Sequence, residues 1–440
     1  MNMKTVSGVL SGLLVAMIGT ASAQVEGRVE NGVLDPNSRA AVASGWRPLF
    51  DGGDTSQWRG YKAEAFPTKG WAVERGTLKC SSGGGDIITR EQFGDFELSL
   101  EFMTTTGANS GIMYRVTERH GATWQTGPEF QLIDDSGAGL GAADAHSAGA
   151  LYDIASPAEG KTLNPPGQWN HARVRLSNGL LQHFLNGAKV VELRVDGDDW
   201  KQKIAKSKFA SYEGFGVEPR GHIAIQDHGN ELAFRNIYVR DLDAPMQSES
   251  VLFGEKTNGR WIGFVPGVDG TLHVSPLATI AHMNEGLLTI KGKPTGYIYT
   301  EGVYDSFVLR LSWRFDPEKG AGNSGVLIRQ TGEHKVWPKS VEAQLHSGNA
   351  GDFWNIGEFA MKTDPARTNG RNTKKLAMAE RPVGEWNEYE IVADGGHVAL
   401  WVNGVLCNEA WDVEQIAGPI CLQSEGAEIQ FKDIRVSPLK

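Results

Sequence analysis

The chain has 440 residues, 22% of them charged and 40% hydrophobic; these are globular values that exclude global disorder, and the length suits two to four domains. Its net charge of −10, with no long run of Lys or Arg, excludes a nucleic-acid binder that neutralises phosphates and disfavours an anionic membrane surface. Its 55 glycines and 13 tryptophans suggest many tight turns between short strands.

Residues 1–23 read as an export signal. Lys4 supplies the positive start, residues 6–18 are mostly apolar but short for a bilayer span, and Ala21-Ser22-Ala23 is a small-residue cleavage site. The expected mature start is Gln24, the expected location is periplasmic or secreted, and no membrane span is expected after cleavage. Residues 24–43 are polar and lack periodicity, which reads as a flexible lead-in. Residues 96–102 alternate apolar and polar with period two, as a half-buried strand does, and residues 174–176 and 181–185 are further short strands. Asn186-Gly187 predicts a type I′ hairpin, because both central residues need positive φ. The one helical signal covers residues 198–207. Strand patterns return at 307–315 and 399–402, followed by a second hairpin signal at Asn403-Gly404. Of three cysteines, Cys407 and Cys421 are the only two in one half, where they form either a disulfide or two buried thiols. No Cys/His zinc spacing is present.

An internal repeat organises the chain. Leu49-Phe50-Asp51-Gly52 recurs as Leu252-Phe253-Gly254-Glu255, and Asn109-Ser110-Gly111-Ile112 as Asn323-Ser324-Gly325-Val326. Glu129-Phe130-Gln131-Leu132 recurs as Glu342-Ala343-Gln344-Leu345, Trp169-Asn170 as Trp386-Asn387, and Phe234-Arg235-Asn236-Ile237 as Phe431-Lys432-Asp433-Ile434. The order is fixed and the spacing drifts by loop-sized amounts, which predicts two homologous domains, 44–243 and 249–440, with an insertion in the first copy at 200–218. Many short strands with frequent turns indicate an all-β chain of two-sheet sandwiches.

Alternation also tells which side chains share a face. Gly111, Met113 and Arg115 point one way, Glu129 and Gln131 share a face, and so do Gln226 and His228. A sandwich core does not accept such groups without partners, so they suggest a polar cleft on one sheet. The second copy offers Arg329, Glu342, Gln344, Gln423 and Glu425, with His346 extending the Glu342/Gln344 face and Glu425 standing where His228 would be. Trp124 and Tyr152 lie beside the first set, Trp337 and Trp354 beside the second. Carboxylates and amides next to aromatic faces suit a sugar. The competing reading of Arg115 and Glu129 is a structural ion pair on a solvated sheet face. Gly83-Gly84-Gly85 has no following Gly-Lys-Ser/Thr, so it is no phosphate loop. In Glu129-x-Gln131-x-x-Asp134 the middle position is an amide, and the second copy has Ser347 for the last acid, which argues against ordinary two-carboxylate hydrolysis.

These motifs, together with Gly149-Ala150-Leu151-Tyr152 and the run from Gly221 through Gln226-Asp227-His228-Gly229, follow one another in an order that resembles the 3-keto-disaccharide hydrolase domain family. The resemblance covers both copies and departs at Gln423-Ser424-Glu425-Gly426. It implies two tandem concanavalin A-like jelly rolls and cleavage of 3-keto-glycosides that a partner sugar 3-dehydrogenase has oxidised. In that chemistry a base removes the acidified C2 hydrogen, the enolate expels the C1 substituent, and water adds. The expected roles are base for Glu129 or His228, enolate contact for Arg115, and hydroxyl contacts for Gln131 and Gln226, joined by Tyr152, Asp153 and Asp227. The second copy is expected to use Glu342 or His346 with Arg329, and Gln344, Trp354, Gln423 and Glu425 as substrate contacts. No cofactor is identified; a divalent metal held by His and Glu is compatible with the resemblance. The alternatives are a non-catalytic carbohydrate-binding protein with two lectin-like domains, and one active domain beside a degenerate one, to which Glu425 points.

Overall fold

The computed structural model describes residues 29–254, 259–266 and 272–440; the expected export signal lies outside the described residues. The first domain is a two-sheet sandwich. Its smaller, antiparallel sheet runs Glu129–Ile133, Asn109–Val116, His222–Ile225, Ile87–Thr89, Trp58–Gly60. Its larger sheet has the strands Leu180–Leu185, Asn170–Ser177, Phe96–Thr104 and Leu232–Asp241 at its centre. Neighbours distant in sequence, such as 109–116 beside 222–225, give the crossovers of a jelly roll. The second domain repeats the small-sheet order with Lys339–Gln344, Gly325–Thr331, Cys421–Ser424, Gly296–Thr300 and Trp261–Pro266. The chain is therefore all-β, two tandem concanavalin A-like jelly rolls.

Period-two alternation builds each core. Phe96, Leu98, Leu100 and Phe102 point inward and meet Ile112, Tyr114, Phe130 and Leu132 from the smaller sheet. Both predicted hairpins have left-handed centres, with φ of 48° and 82° at Asn186-Gly187 and 49° and 75° at Asn403-Gly404. Their asparagines also explain the repeated Trp-Asn. Asn186 Nδ2 donates to Asn170 Oδ1 at 2.8 Å, and Asn403 Nδ2 donates to Asn387 Oδ1 at 2.8 Å. The helical signal appears as the helix Asp198–Lys206.

One expectation is corrected and one open alternative is decided. The lead-in is ordered from residue 29: Val29–Glu30 pairs with Val33–Leu34, and a helix spans Arg39–Ala43. Ser38 Oγ caps that helix by accepting from the Ala41 N–H at 3.2 Å. Val33, Leu34, Ala40 and Ala41 are buried with Tyr238 of the first domain and Val308, Ala399 and Trp401 of the second. Their partners are distant in sequence, so no local periodicity marks them. Cys407 and Cys421 form no disulfide; they and Cys80 are buried free thiols.

The outer faces of the two large sheets meet, and the contact is charged. Glu97 accepts from Arg173 Nη1 at 2.5 Å and from Arg240 Nη2 at 2.6 Å. Arg240 reaches across to Glu390 at 2.8 and 3.0 Å, and Arg310 Nε donates to Glu390 at 2.6 Å. Arg175 pairs with Glu388, which also accepts from Ser177 Oγ at 2.8 Å. Burial works against the Glu97 carboxylate, but Arg240, Arg173 and Arg175 together hold it down at about 2. This depressed value fixes a sign. Its contribution to stability is complete above the ordinary carboxylate range and is lost as pH falls toward about 2. Acid titration followed by small-angle scattering is therefore expected to show the compact two-domain particle unchanged at pH 5, with opening only well below pH 4.

Candidate active site

The outer face of the first domain's small sheet carries a cavity of about 240 Å³, lined by Asn109, Trp124, Glu129, Gln131, Tyr152, Lys208, Gln226 and His228. This is below the roughly 300–1,000 Å³ typical of pockets for drug-sized ligands, and suits a single sugar ring. Three neighbouring strands build its floor. Glu129 stands opposite Met113 and Gln131 opposite Gly111. Gly111 is needed there, because a Cβ on it would come within 2.0 Å of Glu129 Oε1. Gly111 thus lets the Glu129 side chain lie flat across the neighbouring strand. Gly111→Ala is expected to displace that carboxylate and lower kcat/KM by about 100-fold while leaving the far-ultraviolet circular dichroism unchanged.

Glu129 is buried, and among the described residues no group donates a hydrogen bond to its carboxylate. Burial pushes its carboxyl up to about 8; the Lys208 ammonium opposes this and the Asp86 charge adds to it. Gln131 Oε1 and Asn109 Oδ1 are buried without a partner among the described residues, so two amides face the cavity with hydrogen-bonding capacity to spare.

Lys208 enters from the short helical turn Lys208–Ser211, within the insertion that follows the helix Asp198–Lys206. Its Nζ lies 4.1 Å from the Tyr152 ring centre and 5.6 Å from that of Trp124. Its backbone N–H donates to Asp153 Oδ2 at 2.7 Å, while Asp153 Oδ1 is 3.2 Å from His146 Nε2. His146 in turn packs edge-on against Tyr152 at 4.8 Å. Asp153 is thus a bracket that holds Lys208 and Tyr152 in place, and does not line the cavity.

Of the residues read from the sequence, the structure brings together Glu129, Gln131, Tyr152, Gln226 and His228. Arg115 is not with them. The alternation breaks at Arg115, which has φ of 55°, and its guanidinium turns toward Asp95 at 3.9 Å. Arg329 does the same in the second copy: with φ of 54° it is fully buried and donates to the carbonyls of Gly395 at 2.5 Å and Glu414 at 2.9 Å. Both are structural corner residues. Asp227 is another correction. Its carboxylate accepts from the N–H groups of Gly84 at 2.8 Å, Gly85 at 3.0 Å and Gly229 at 3.0 Å, so it pins loops beside the cleft. The half-buried Asp86, which the sequence reading missed, accepts from Thr123 Oγ1 and from the Asp227 N–H.

The second domain holds the same frame. Glu342 faces Leu327 and Gln344 faces Gly325. A Cβ on Gly325 would lie 2.4 Å from both Glu342 Oε1 and Gln423 Oε1. Trp354 pairs with Glu342, taking the place of Tyr152, whose N–H donates to the Glu129 carbonyl. Gln344 Oε1 accepts from the N–H groups of Leu345 at 2.8 Å and His346 at 2.9 Å. His346 falls in the exposed turn beyond the strand Lys339–Gln344, with its ring against Asn349 at 2.8 Å. Among the described residues no three His, Cys, Asp or Glu side chains converge as a metal-ion cluster.

A family model described as the 3-keto-alpha-glucoside-1,2-lyase-like domain matches residues 45–240 and again 249–437. A 3-keto-disaccharide hydrolase of Bacteroides thetaiotaomicron is 31% identical over 233 residues, covering 46% of this chain and 80% of the relative. A "putative glycosyl hydrolase" structure from Parabacteroides distasonis is 32% identical with a TM-score of 0.42, covering 46% of this chain and 96% of that one. A second structure from the same organism is 27% identical with a TM-score of 0.37, covering 45% and 99%.

Proposed function

Since the chain belongs, in both halves, to the 3-keto-alpha-glucoside-1,2-lyase-like domain family, we propose that it is an exported enzyme that cleaves 3-keto-glycosides by elimination and hydration in its first domain. The observation that carries this reading is the buried Glu129 carboxyl, held at about 8 and with no hydrogen-bond donor among the described residues, in one cavity with the Lys208 ammonium. A carboxylate with that affinity for protons is a far stronger base than an exposed one and still ionises near neutral pH. Glu129 takes the C2 hydrogen as a proton. The C2–H electrons delocalise onto the C3 oxygen, and Lys208 stabilises the enolate that forms. That electron pair then forms the C1–C2 double bond as the C1–O bond breaks, and His228 at the mouth of the cleft gives a proton to the departing oxygen. Water then adds across the double bond, with hydroxyl at C1 and hydrogen at C2. Gln131, Gln226 and Asn109 hold ring hydroxyls, and Tyr152 and Trp124 offer apolar faces.

The substrate is supplied by a sugar 3-dehydrogenase, since an unoxidised C2 hydrogen is not acidic enough for any carboxylate. The export signal read at residues 1–23 supports a reaction in the periplasm or outside the cell; the N-terminal sequence of the exported protein, expected to begin at Gln24, checks it.

The test is release of nitrophenol from a 3-keto-nitrophenyl glucoside and from its unoxidised counterpart. Turnover of the keto sugar alone is expected. Sugar binding with no turnover of either would replace this reading with that of a binding protein. The kcat/KM profile is expected to rise with pH as Glu129 loses its proton, levelling off above about 8. In Lys208→Met that limb moves to higher pH, because the ammonium no longer favours the carboxylate. A limb that stays in place would separate Lys208 from the base.

A further inference from the structure

The two clefts share a frame but not a charge. In the first, Lys208 faces Glu129, and His228 stands at the mouth. In the second, Glu425 occupies the position of His228, two residues after Gln423 as His228 is two after Gln226. The insertion that carries Lys208 has no counterpart. The charge that acts on Glu342 is that of Glu425, and it has the same sign; burial first and Glu425 second push the Glu342 carboxyl up to about 8. Elimination passes through an anionic enolate. A site whose near charge is a carboxylate destabilises that anion, where Lys208 would stabilise it.

The second cleft is nonetheless built to hold something. Gln423 is 1% exposed, yet neither Oε1 nor Nε2 has a partner among the described residues. Its Oε1 lies beside Glu342 Oε1 over the bare Gly325. Asn323 Oδ1 is likewise buried without a partner. With Gln344 Oε1 occupied by two backbone N–H groups, its amide nitrogen is left as a donor. Leaving such groups unpaired is unfavourable, and a polar ligand removes that cost. Trp354, half-buried beside Glu342, supplies an apolar wall. Amides that both donate and accept, carboxylates that accept, and one indole face match a neutral pyranoside. A ring hydroxyl is able to donate to such a carboxylate, which a ketone in its place cannot do.

We propose that the second domain is a non-catalytic saccharide site that binds the unoxidised glycoside through Gln423, Glu425, Asn323 and Trp354, while all turnover occurs in the first. This rests on the reading of the first cleft as the site of 3-keto-glycoside cleavage.

The test uses the full chain with 5-fluorotryptophan, the Trp124 and Trp354 resonances being assigned by their phenylalanine variants. Titration with methyl glucoside is expected to shift the Trp354 resonance saturably. Gln423→Ala is expected to weaken that response at least tenfold, as is Glu425→Gln, a half-exposed position less exposed to folding defects. In parallel, Glu129→Gln alone is expected to remove turnover of the 3-keto-glucoside. A residual rate of a tenth or more of the wild-type value would mean that the second domain turns over, and would overturn the proposal. So would a Trp354 resonance that methyl glucoside leaves unmoved, or one that Gln423→Ala and Glu425→Gln leave with unchanged affinity. Should the wild-type chain cleave no keto-glycoside, the reading of the first cleft falls, while the Trp354 titration still reports on the second.

Discussion

Glu129→Gln is expected to lower kcat on a 3-keto-glucoside by about 10²–10⁴-fold, the range that a positioned general base contributes. The amide keeps the shape of the carboxylate, so it still lies across Gly111 and leaves the sheet undisturbed. What it loses is the ability to accept a proton from C2. The same change has an opposite effect on stability. The Glu129 carboxyl is protonated in the folded chain up to about pH 8 and ionises in the unfolded chain near the ordinary glutamate value. Stability therefore falls with rising pH between those two values, because the unfolded state releases the proton and the folded state retains it. Glu129→Gln removes that penalty, so its thermal midpoint at pH 8 is expected to exceed that of the wild type. A variant that is both inactive and more stable identifies a catalytic group held at the expense of the fold. One that is inactive and destabilised points to a structural carboxyl.

The largest expected loss of stability comes from Arg240→Met. Arg240 sits between Glu97 of its own domain and Glu390 of the other, with hydrogen bonds of 2.6 to 3.0 Å to both. Glu97 is buried and Glu390 largely so where they meet it. Removing the guanidinium leaves two like charges facing one another with less compensation, and breaking a buried pair in this way costs about 3–5 kcal/mol. The urea midpoint is expected to fall accordingly. Because the lost contact lies between domains, a second transition is expected where the wild type shows one. Replacing Glu97, Arg240 and Glu390 together by apolar residues of similar volume is expected to restore much of the loss, since a packed apolar cluster often equals a buried charge network.

The fold was legible because its signals are local. Residues 96–102 alternate with period two, and Asn186-Gly187 and Asn403-Gly404 define their turns by φ alone. The repeat then doubled each signal. The cleft was legible where it lies on regular strands: Glu129 and Gln131 share a face, and Gln226 and His228 come from the end of a neighbouring strand. It ceased to be legible where regularity stops. Arg115 was placed on the cleft face by extending the alternation from Gly111, but the backbone turns to positive φ at Arg115, a conformation that an arginine does not announce. Lys208 was missed for the opposite reason. It belongs to the insertion, so no second copy marks it, and its approach to Tyr152 depends on the anchor at Asp153. Asp153 and Asp227 sit next to cleft residues in sequence, but their carboxylates are spent on backbone N–H groups.

The back-to-back docking of the large sheets sets the direction of both openings. Each cleft lies on the outer face of the small sheet, the layer farthest from the domain contact. The two mouths therefore open away from each other, and a short oligosaccharide held in one cannot reach the other. Whatever passes between them must be released and rebound. On the proposed reading of the second cleft, two separate glycan chains are held at once, and retention on a dense glycan is expected to be set by avidity.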